Sequence, residues 1–288
     1  GYVSTLEPFH RLFNQGYIQA PAFQDARGLY VEASEVVERA GAFTFHGEPV
    51  HREFGKMGKS LKNMITPDDV YRDYGADTLR LYEMFMGPLD ASRPWSTQDT
   101  VGVHRFLQRL WRNLVDEETD TVRVTDAPAD TETRRVLHRT IAAVRTDMAA
   151  LKFNTAIARL FELNNQLTVA VTATGESPRE VVEPLVLMLA PLTPHVAEEL
   201  WARLGHPGSL AYEPFPEPDL ELLVVDTVEV AVQVNGKTRA RVSVPADALD
   251  AAVEAAARAE PRVAGLLADA GVARVVVVPA RLVNFVLG

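Results

Sequence analysis

Cysteine is absent from the 288 residues of this chain. Neither a disulfide framework nor a thiolate metal site can form, which fits a reducing compartment. No apolar run reaches the roughly 18 residues of a membrane span, and no signal-peptide pattern opens the chain. A cytoplasmic protein with no membrane partner is the expectation. Positive charge is scarce as well: 29 Lys and Arg stand against 39 Asp and Glu, a formal net charge of -10. Nonspecific nucleic-acid affinity comes mostly from cationic neutralisation of phosphates, so a general polyanion binder is excluded and any phosphate site must be local. Paired catalytic carboxylates and a cluster of metal ligands are also missing from the pattern. The first residue is Gly1, not methionine, and "GYVSTLEPFHRLFNQGYI" reads like the middle of a fold. The chain is therefore expected to be a piece of something longer.

What is present is enough apolar sequence, 47% of residues, to bury real cores in two or three domains. Residues 20–54 read as short strands and turns around Gly41 and Gly47. Thr66-Pro67-Asp68-Asp69 is a helix start: threonine caps, proline suits the first helical position, and the acids meet the positive end of the dipole. Gly75 should end that helix, and a second follows through "ADTLRLYEMFMG". From Ser96 to Gly205 the pattern turns to long amphipathic helices. Val103, Phe106, Leu107, Leu110 and Leu114 recur at helical spacing, and a bundle of about five helices is expected. Residues 206–219, with four prolines and one glycine, read as a linker.

The last segment alternates with period two in "VEVAVQVNGKTRARVSV". A two-residue turn at Asn235-Gly236 would put Lys237, Arg239 and Arg241 on the face of Val230, Val232 and Val234. A three-residue loop ending at Gly236 avoids this, aligning Val228, Val230 and Val232 with Thr238, Ala240 and Val242. The basic residues then share the other face with Gln233 and Glu229. A helix over "DALDAAVEAAARA" and a buried strand "ARVVVVP" complete a small α+β domain.

The strongest chemical signal is "FGKMGKSLKN", residues 54–63, which gathers Lys56, Lys59 and Lys62 after Arg52, with only Glu53 against them. A glycine-containing loop with two lysines can wrap a phosphate, offering backbone N–H groups and mobile ammonium charges. Alone, the spacing Lys-x-x-Lys-Ser also fits a solvated basic turn before a helix.

Lys56-Met57-Gly58-Lys59-Ser60 resembles the KMSKS loop of class I aminoacyl-tRNA synthetases, with glycine in place of the first serine. "LKNMITPDDVYRDYGADTLRLYEMFMGPLDASRPW" looks like the segment that follows this loop in bacterial leucyl-tRNA synthetases. "RFLQRLWRNLV" and "LAPLTPHVAEELW" are similar to their helical anticodon-binding domain, and "VQVNGKTRARVSVPADA" and "VVVVPARLVNF" to their C-terminal domain. Residues 20–54 look like a leucine-specific insertion, which favours this family over its valyl, isoleucyl and methionyl relatives.

The resemblance implies a multidomain fold, mainly α with α+β parts. Residues 1–19 would end a Rossmann-type catalytic domain, 20–54 form the insertion, and 55–95 hold the loop and its following helices. Residues 96–205 would be the helical tRNA-binding domain, 206–219 the linker and 220–288 a C-terminal α+β tRNA-binding domain. It further implies that leucine is activated with ATP and Mg2+ and passed to tRNA-Leu by a monomeric enzyme. Lys56 and Lys59 would stabilise charge on the ATP phosphates, within a binding loop of Lys56, Met57, Gly58, Lys59 and Ser60. Ser60 would either bond the phosphates or cap local structure, and Met57 and Asn63 are structural. None of the seven histidines sits in the family's HIGH motif. The Rossmann half for adenine and leucine, and the editing domain, would precede this chain, which by itself should not activate leucine. A stand-alone tRNA-binding module without catalysis is the alternative.

Other residues have structural readings. His195, at a helix start, should cap or pack, and Trp111 and Trp201 should be core. Arg105, Arg109 and Arg112 form one stripe on a helix, open to a tRNA backbone or to water. The same choice applies to Lys237, Arg239 and Arg241.

Overall fold

A computed structural model describes residues 4–7, 9, 11–224, 227–246, 248–268 and 271–288. Two compact units result, Gly1–Asp219 and Leu220–Gly288. His10 and Asp247, which fall in stretches read above, lie outside the described residues.

In the first unit a small sheet has the order β2 (Tyr30–Val31), β1 (Ile18–Gln24), β6 (His51–Lys56). Strands β1 and β6 are antiparallel from Gln19↔Lys56 to Gln24↔His51. This pairing runs across both ends expected for the insertion, because a chain that leaves and re-enters at neighbouring points continues its ladder through the junction. Between them lies a meander of β3 (Val36–Arg39), β4 (Ala42–Phe45) and β5 (Glu48–Pro49). It turns at Ala40-Gly41 (φ 50 and 82) and His46-Gly47 (φ 49 and 88), the left-handed pairs whose twist suits a tight hairpin. A short β7 (Arg93–Pro94) pairs parallel to β1.

Helix α1 (Pro67–Tyr74) starts as expected: the Thr66 hydroxyl accepts from Asp69 N, and Gly75, at φ 85, breaks it from α2 (Ala76–Phe85). Five further helices follow: α3 (Thr97–Leu114), α4 (Thr131–Ala149), α5 (Phe153–Thr174), α6 (Arg179–Leu189) and α7 (Pro194–Arg203). The connections hold β8 (Val115–Asp116) paired with β9 (Thr121–Val122), and β10 (Val124–Thr125) paired with β11 (Ser177–Pro178). Side chains cap α3 and α4: Ser96 accepts from Asp99 N at 3.2 Å, and Asp130 from Thr133 N at 2.9 Å. The predicted stripe on α3 is buried, in one cluster with Leu137, Ile141, Leu160 and Leu185. Trp201, 4% exposed, is core, whereas Trp111 is partly buried and packs against the same cluster from its edge. Leu81 and Tyr82 of α2 belong to it as well, which ties the segment after the loop to the bundle.

That tie is also polar. The Asp77 carboxylate, nearly buried on the first turn of α2, accepts from Val196 N at 2.7 Å and pairs with His195 Nδ1 at 2.8 Å. Asp77 thus covers the free N–H groups at the start of α7. One turn on, Arg80 donates to the carbonyls of Leu192 (3.2 Å) and Pro191 (3.0 Å). His195 is accordingly part of a helix cap, as read from the sequence.

The proline-rich stretch 206–219 is not free chain. Leu210 is 3% exposed in the bundle's core, and Phe215 packs on it. Arg145 on α4 donates to the carbonyls of Phe215 (3.2 Å) and Pro216 (3.0 Å), and Asp219 N donates to His138 Nδ1 at 2.9 Å. Two apolar anchors among the prolines hold it down, which the composition alone hid.

The second unit is a four-stranded sheet, order β13 (Lys237–Pro245), β12 (Thr227–Val234), β15 (Leu282–Leu287), β14 (Val272–Val278), with α8 (Asp250–Ala259) and α9 (Pro261–Ala268). Val230, Val232, Val283 and Phe285 are fully buried against Val253, Ala257 and Val263 of the helices. The hairpin register corrects the expectation. Asn235 and Gly236, at φ 50 and 75, form a two-residue turn that pairs Val234 with Lys237. A bulge then shifts the ladder, and the body pairs Val232↔Ala240, Val230↔Val242 and Val228↔Val244, two residues away from the expected partners. The bulge absorbs the odd residue that the expected three-residue loop was meant to absorb, so Ala240 and Val242 still face the core. The other correction is β14: it is a strand, but an edge one with Ala273, Arg274 and Val278 exposed, and the inner strands are β12 and β15.

Candidate functional site

Strand β6 delivers Lys56 to the edge of the loop. Its alternation puts Glu53 beside the Tyr30 hydroxyl, which donates to it; that bond to a carboxylate holds the Tyr30 pKa above its ordinary value. Arg52 lies over the rings of Phe43 (4.6 Å) and Phe54 (5.6 Å), so it is spent on packing. Lys56 Nζ stands 4.6 Å from the centre of the Tyr17 ring. The lone opposing acid and two of the cations noted in the sequence, Arg52 and Lys56, thus have local partners, although both cations remain exposed.

Beyond Lys56, Met57 N donates to Ile18 O at 3.0 Å, carrying the β1 ladder one residue further. Gly58 is extended (φ 170), Lys59–Leu61 make one turn of 3-10 helix, and Lys62 closes it in the left-handed region at φ 50. Gly55 lies close beneath the turn: a Cβ there would lie 2.4 Å from Leu61 Cδ1, so the leucine side chain would have to shift. Asn63 is buried, 2% exposed; its Oδ1 accepts from Gly58 N at 2.9 Å and its Nδ2 donates to Ala20 O at 3.0 Å. Ala33 N donates to Lys62 O at 2.9 Å. The result is an arch with a fixed base and an open crown. Lys59 and Ser60, on the crown, are exposed and have no side-chain partner among the described residues. Lys62 lies 4.0 Å from Glu32, a loose pair.

Two ammonium groups on one short arch, facing solvent, suit an anion with more than one negative centre, such as a polyphosphate. Ser60 caps nothing here, so its hydroxyl is available to such a ligand. Gly58 N is not, because Asn63 holds it. Among the described residues no group of three His, Asp or Glu side chains converges as a metal site would require.

The second set of predicted contacts lies elsewhere. Arg105, Arg109 and Arg112 are all exposed on α3, and Arg109 donates to Asn165 Oδ1 on α5. In the second unit Lys237, Arg239 and Arg241 are exposed, with Arg241 3.3 Å from Glu229. They do not share one face as expected: Lys237 pairs with the core residue Val234, Arg241 with Ala231, and the bulge falls between. Sequence reasoning missed Tyr17 beside Lys56 and the capping by Asp77, both made by residues distant in the chain with no local signal.

A family described as "Anticodon-binding domain of tRNA ligase" matches residues 130–255, which begins at the cap of α4. Over α4–α7 and into the second unit the chain is therefore similar to a segment of a tRNA ligase. The chain is 62% identical over 286 residues to a leucine–tRNA ligase of Saccharopolyspora erythraea, covering 99% of the chain and 30% of that protein. Leucine–tRNA ligases of Nocardia farcinica (62% over 292 residues) and a Mycobacterium species (58% over 288) match with the same 30% share of their length. A crystal structure of a LeuRS from Agrobacterium radiobacter, solved as a ternary complex with tRNA and LeuAMS, has a TM-score of 0.66 at 27% identity. It covers 100% of this chain and 35% of that one. The chain is a homologue of the C-terminal part of leucine–tRNA ligases, and it spans about 30% of the length of the curated relatives it matches. No helix among the described residues is long and apolar enough to cross a membrane.

Proposed function

We propose that this chain works as the C-terminal part of a leucine–tRNA ligase, supplying the ATP-phosphate loop and the tRNA-binding surfaces. The observation that carries the reading is the arch of residues 57–62, with Lys56 at its foot and Lys59 at its crown, within a chain that matches leucine–tRNA ligases from end to end. On this reading the stretch through α2 closes a Rossmann-type catalytic domain interrupted by a leucine-specific insertion. Helices α3–α7 are the anticodon-binding bundle and the second unit a further tRNA-binding domain. Leucine, ATP with its Mg2+ and tRNA-Leu are the substrates, in a cytoplasmic monomer whose adenine, leucine and editing sites lie in the preceding portion.

The chemistry asked of the arch is electrostatic. The leucine carboxylate attacks the α-phosphorus, the bond to the β-phosphate oxygen breaks, and pyrophosphate leaves with the negative charge that accumulates. Lys59, with Lys56, meets that charge with ammonium groups on a pre-shaped backbone. Removing one such positioned group costs roughly 10²–10³ in rate. Arg105, Arg109 and Arg112, and the exposed cations of the β12–β13 hairpin, contact the tRNA backbone. In the full-length ligase carrying these residues, Lys59→Ala should lower leucine-dependent ATP–pyrophosphate exchange by about that factor and leave leucine binding intact. Exchange at the parent rate would overturn the assignment of the loop.

A further inference from the structure

We infer that Asn63 is a positioning residue for the phosphate step, acting through the arch and touching no substrate itself; this deepens the reading just given and rests on it. The arch has few constraints of its own. Its helical turn is a single one, its crown side chains are exposed, and one residue, Lys62, sits in the left-handed region. A free loop of this kind would sample many shapes, and each lysine would spend little time where charge develops.

Asn63 removes that freedom at the base. Among the described residues its amide is the one side chain that bonds both into the arch, at Gly58 N (2.9 Å), and out of it, at Ala20 O (3.0 Å), on the strand that also receives Met57 N. Ala20 is itself 2% exposed at the centre of the sheet, so the anchor is rigid. Asn63 therefore sets the height and direction at which the chain enters the Lys59 turn. The extended backbone at Gly58 turns its N–H inward to Asn63, and this site contributes no donor to a phosphate. Asparagine alone among side chains of its size offers an acceptor and a donor at opposed atoms; aspartate cannot donate to Ala20 O, and leucine can do neither.

The test is a double-mutant cycle in the full-length ligase carrying these residues, with Asn63→Leu, Asn63→Ala, Lys59→Ala and the two combinations. Two reactions are followed: leucine-dependent ATP–pyrophosphate exchange, and transfer to tRNA from supplied leucyl adenylate, which needs no ATP phosphates. Asn63→Leu keeps most of the buried volume. The expected result is a fall of roughly 10- to 100-fold in the exchange kcat for both Asn63 variants, with transfer unchanged. In the Lys59→Ala background the same substitutions should cost less than about 3-fold, because the group they position is gone. Equal losses in exchange and transfer, or losses that multiply fully with Lys59→Ala, would overturn the inference and make Asn63 a stability residue. If Lys59→Ala itself left exchange intact, the loop assignment would fall, whereas a normal Asn63 variant beside a crippled Lys59→Ala would refute only the role of Asn63.

Discussion

Replacing Asp77 with alanine should unfasten α7 from α2. The carboxylate makes two short bonds there, to Val196 N at 2.7 Å and His195 Nδ1 at 2.8 Å, while His195 N at 3.4 Å adds little. Bonds to a charged acceptor contribute about 1.5–3 kcal/mol each. Part of that returns in the variant, because the His195 side chain is 74% exposed and water can replace its partner. Val196 N, at the first turn of a helix, regains less. The net cost is about 3 kcal/mol, somewhat above the ordinary loss of a cap. For a unit the size of Gly1–Asp219, each kcal/mol moves the melting temperature by about 2–4 °C. Thermal unfolding followed by far-ultraviolet circular dichroism should therefore show a drop of about 6–12 °C. Asp77→Asn, which keeps an acceptor for Val196 N, should lose about half as much. A melting point within about 2 °C of the parent for Asp77→Ala would refute the idea that this carboxylate joins the two helices.

Leu160→Ala opens a cavity at a fully buried site in the bundle and should cost about 2–5 kcal/mol in denaturant unfolding. Burial holds the pKa of His138 below its ordinary value, against the opposing pull of Asp219 and Glu180 and with help from Arg134. The folded ring is neutral and accepts Asp219 N–H, so its contribution is whole above the ordinary histidine pKa of about 6.5 and is lost as pH falls below it, where the unfolded chain takes up a proton first. Amide exchange at Asp219, corrected for intrinsic rates, should accelerate from pH 7 to 5.5, and His138→Leu should abolish that pH dependence. Replacing Arg105, Arg109 and Arg112 with alanine together should weaken tRNA-Leu binding at all sequences alike and reduce its salt slope by roughly 2–3, in a filter-binding titration.

Local rules read well where the signal was local. Thr66, Pro67 and Gly75 bound α1 because capping and backbone freedom act within one turn, and the α3 stripe was visible because burial there repeats every 3.6 residues. The reading weakened where partners are distant. Alternation placed Ala240 and Val242 toward the core but could not distinguish a longer loop from a tight turn followed by a bulge, since both shift the phase by one. Strand order is a property of the sheet, so "ARVVVVP" looked buried and is an edge. Prolines outweighed Leu210 and Phe215 in the stretch 206–219, although those two side chains decide where it lies. In the candidate site, Lys56 and Lys59 stood out by type and spacing. Of their supports, Tyr17 and Ala20 are brought to them by the pairing of β1 with β6, and the Asn63 amide, although near in sequence, shows its role only through its bonds to Gly58 N and Ala20 O.

The central claim is that the arch is a working part of a leucine-activating site completed by the preceding portion of the ligase. The measurement that meets it most directly is leucine-dependent ATP–pyrophosphate exchange by this chain, alone and mixed with a separately made N-terminal catalytic portion, with Lys59→Ala in parallel. The account predicts no exchange by the chain alone, exchange on mixing, and its loss in the variant. Exchange by the chain alone, or mixed activity indifferent to Lys59→Ala, would contradict it.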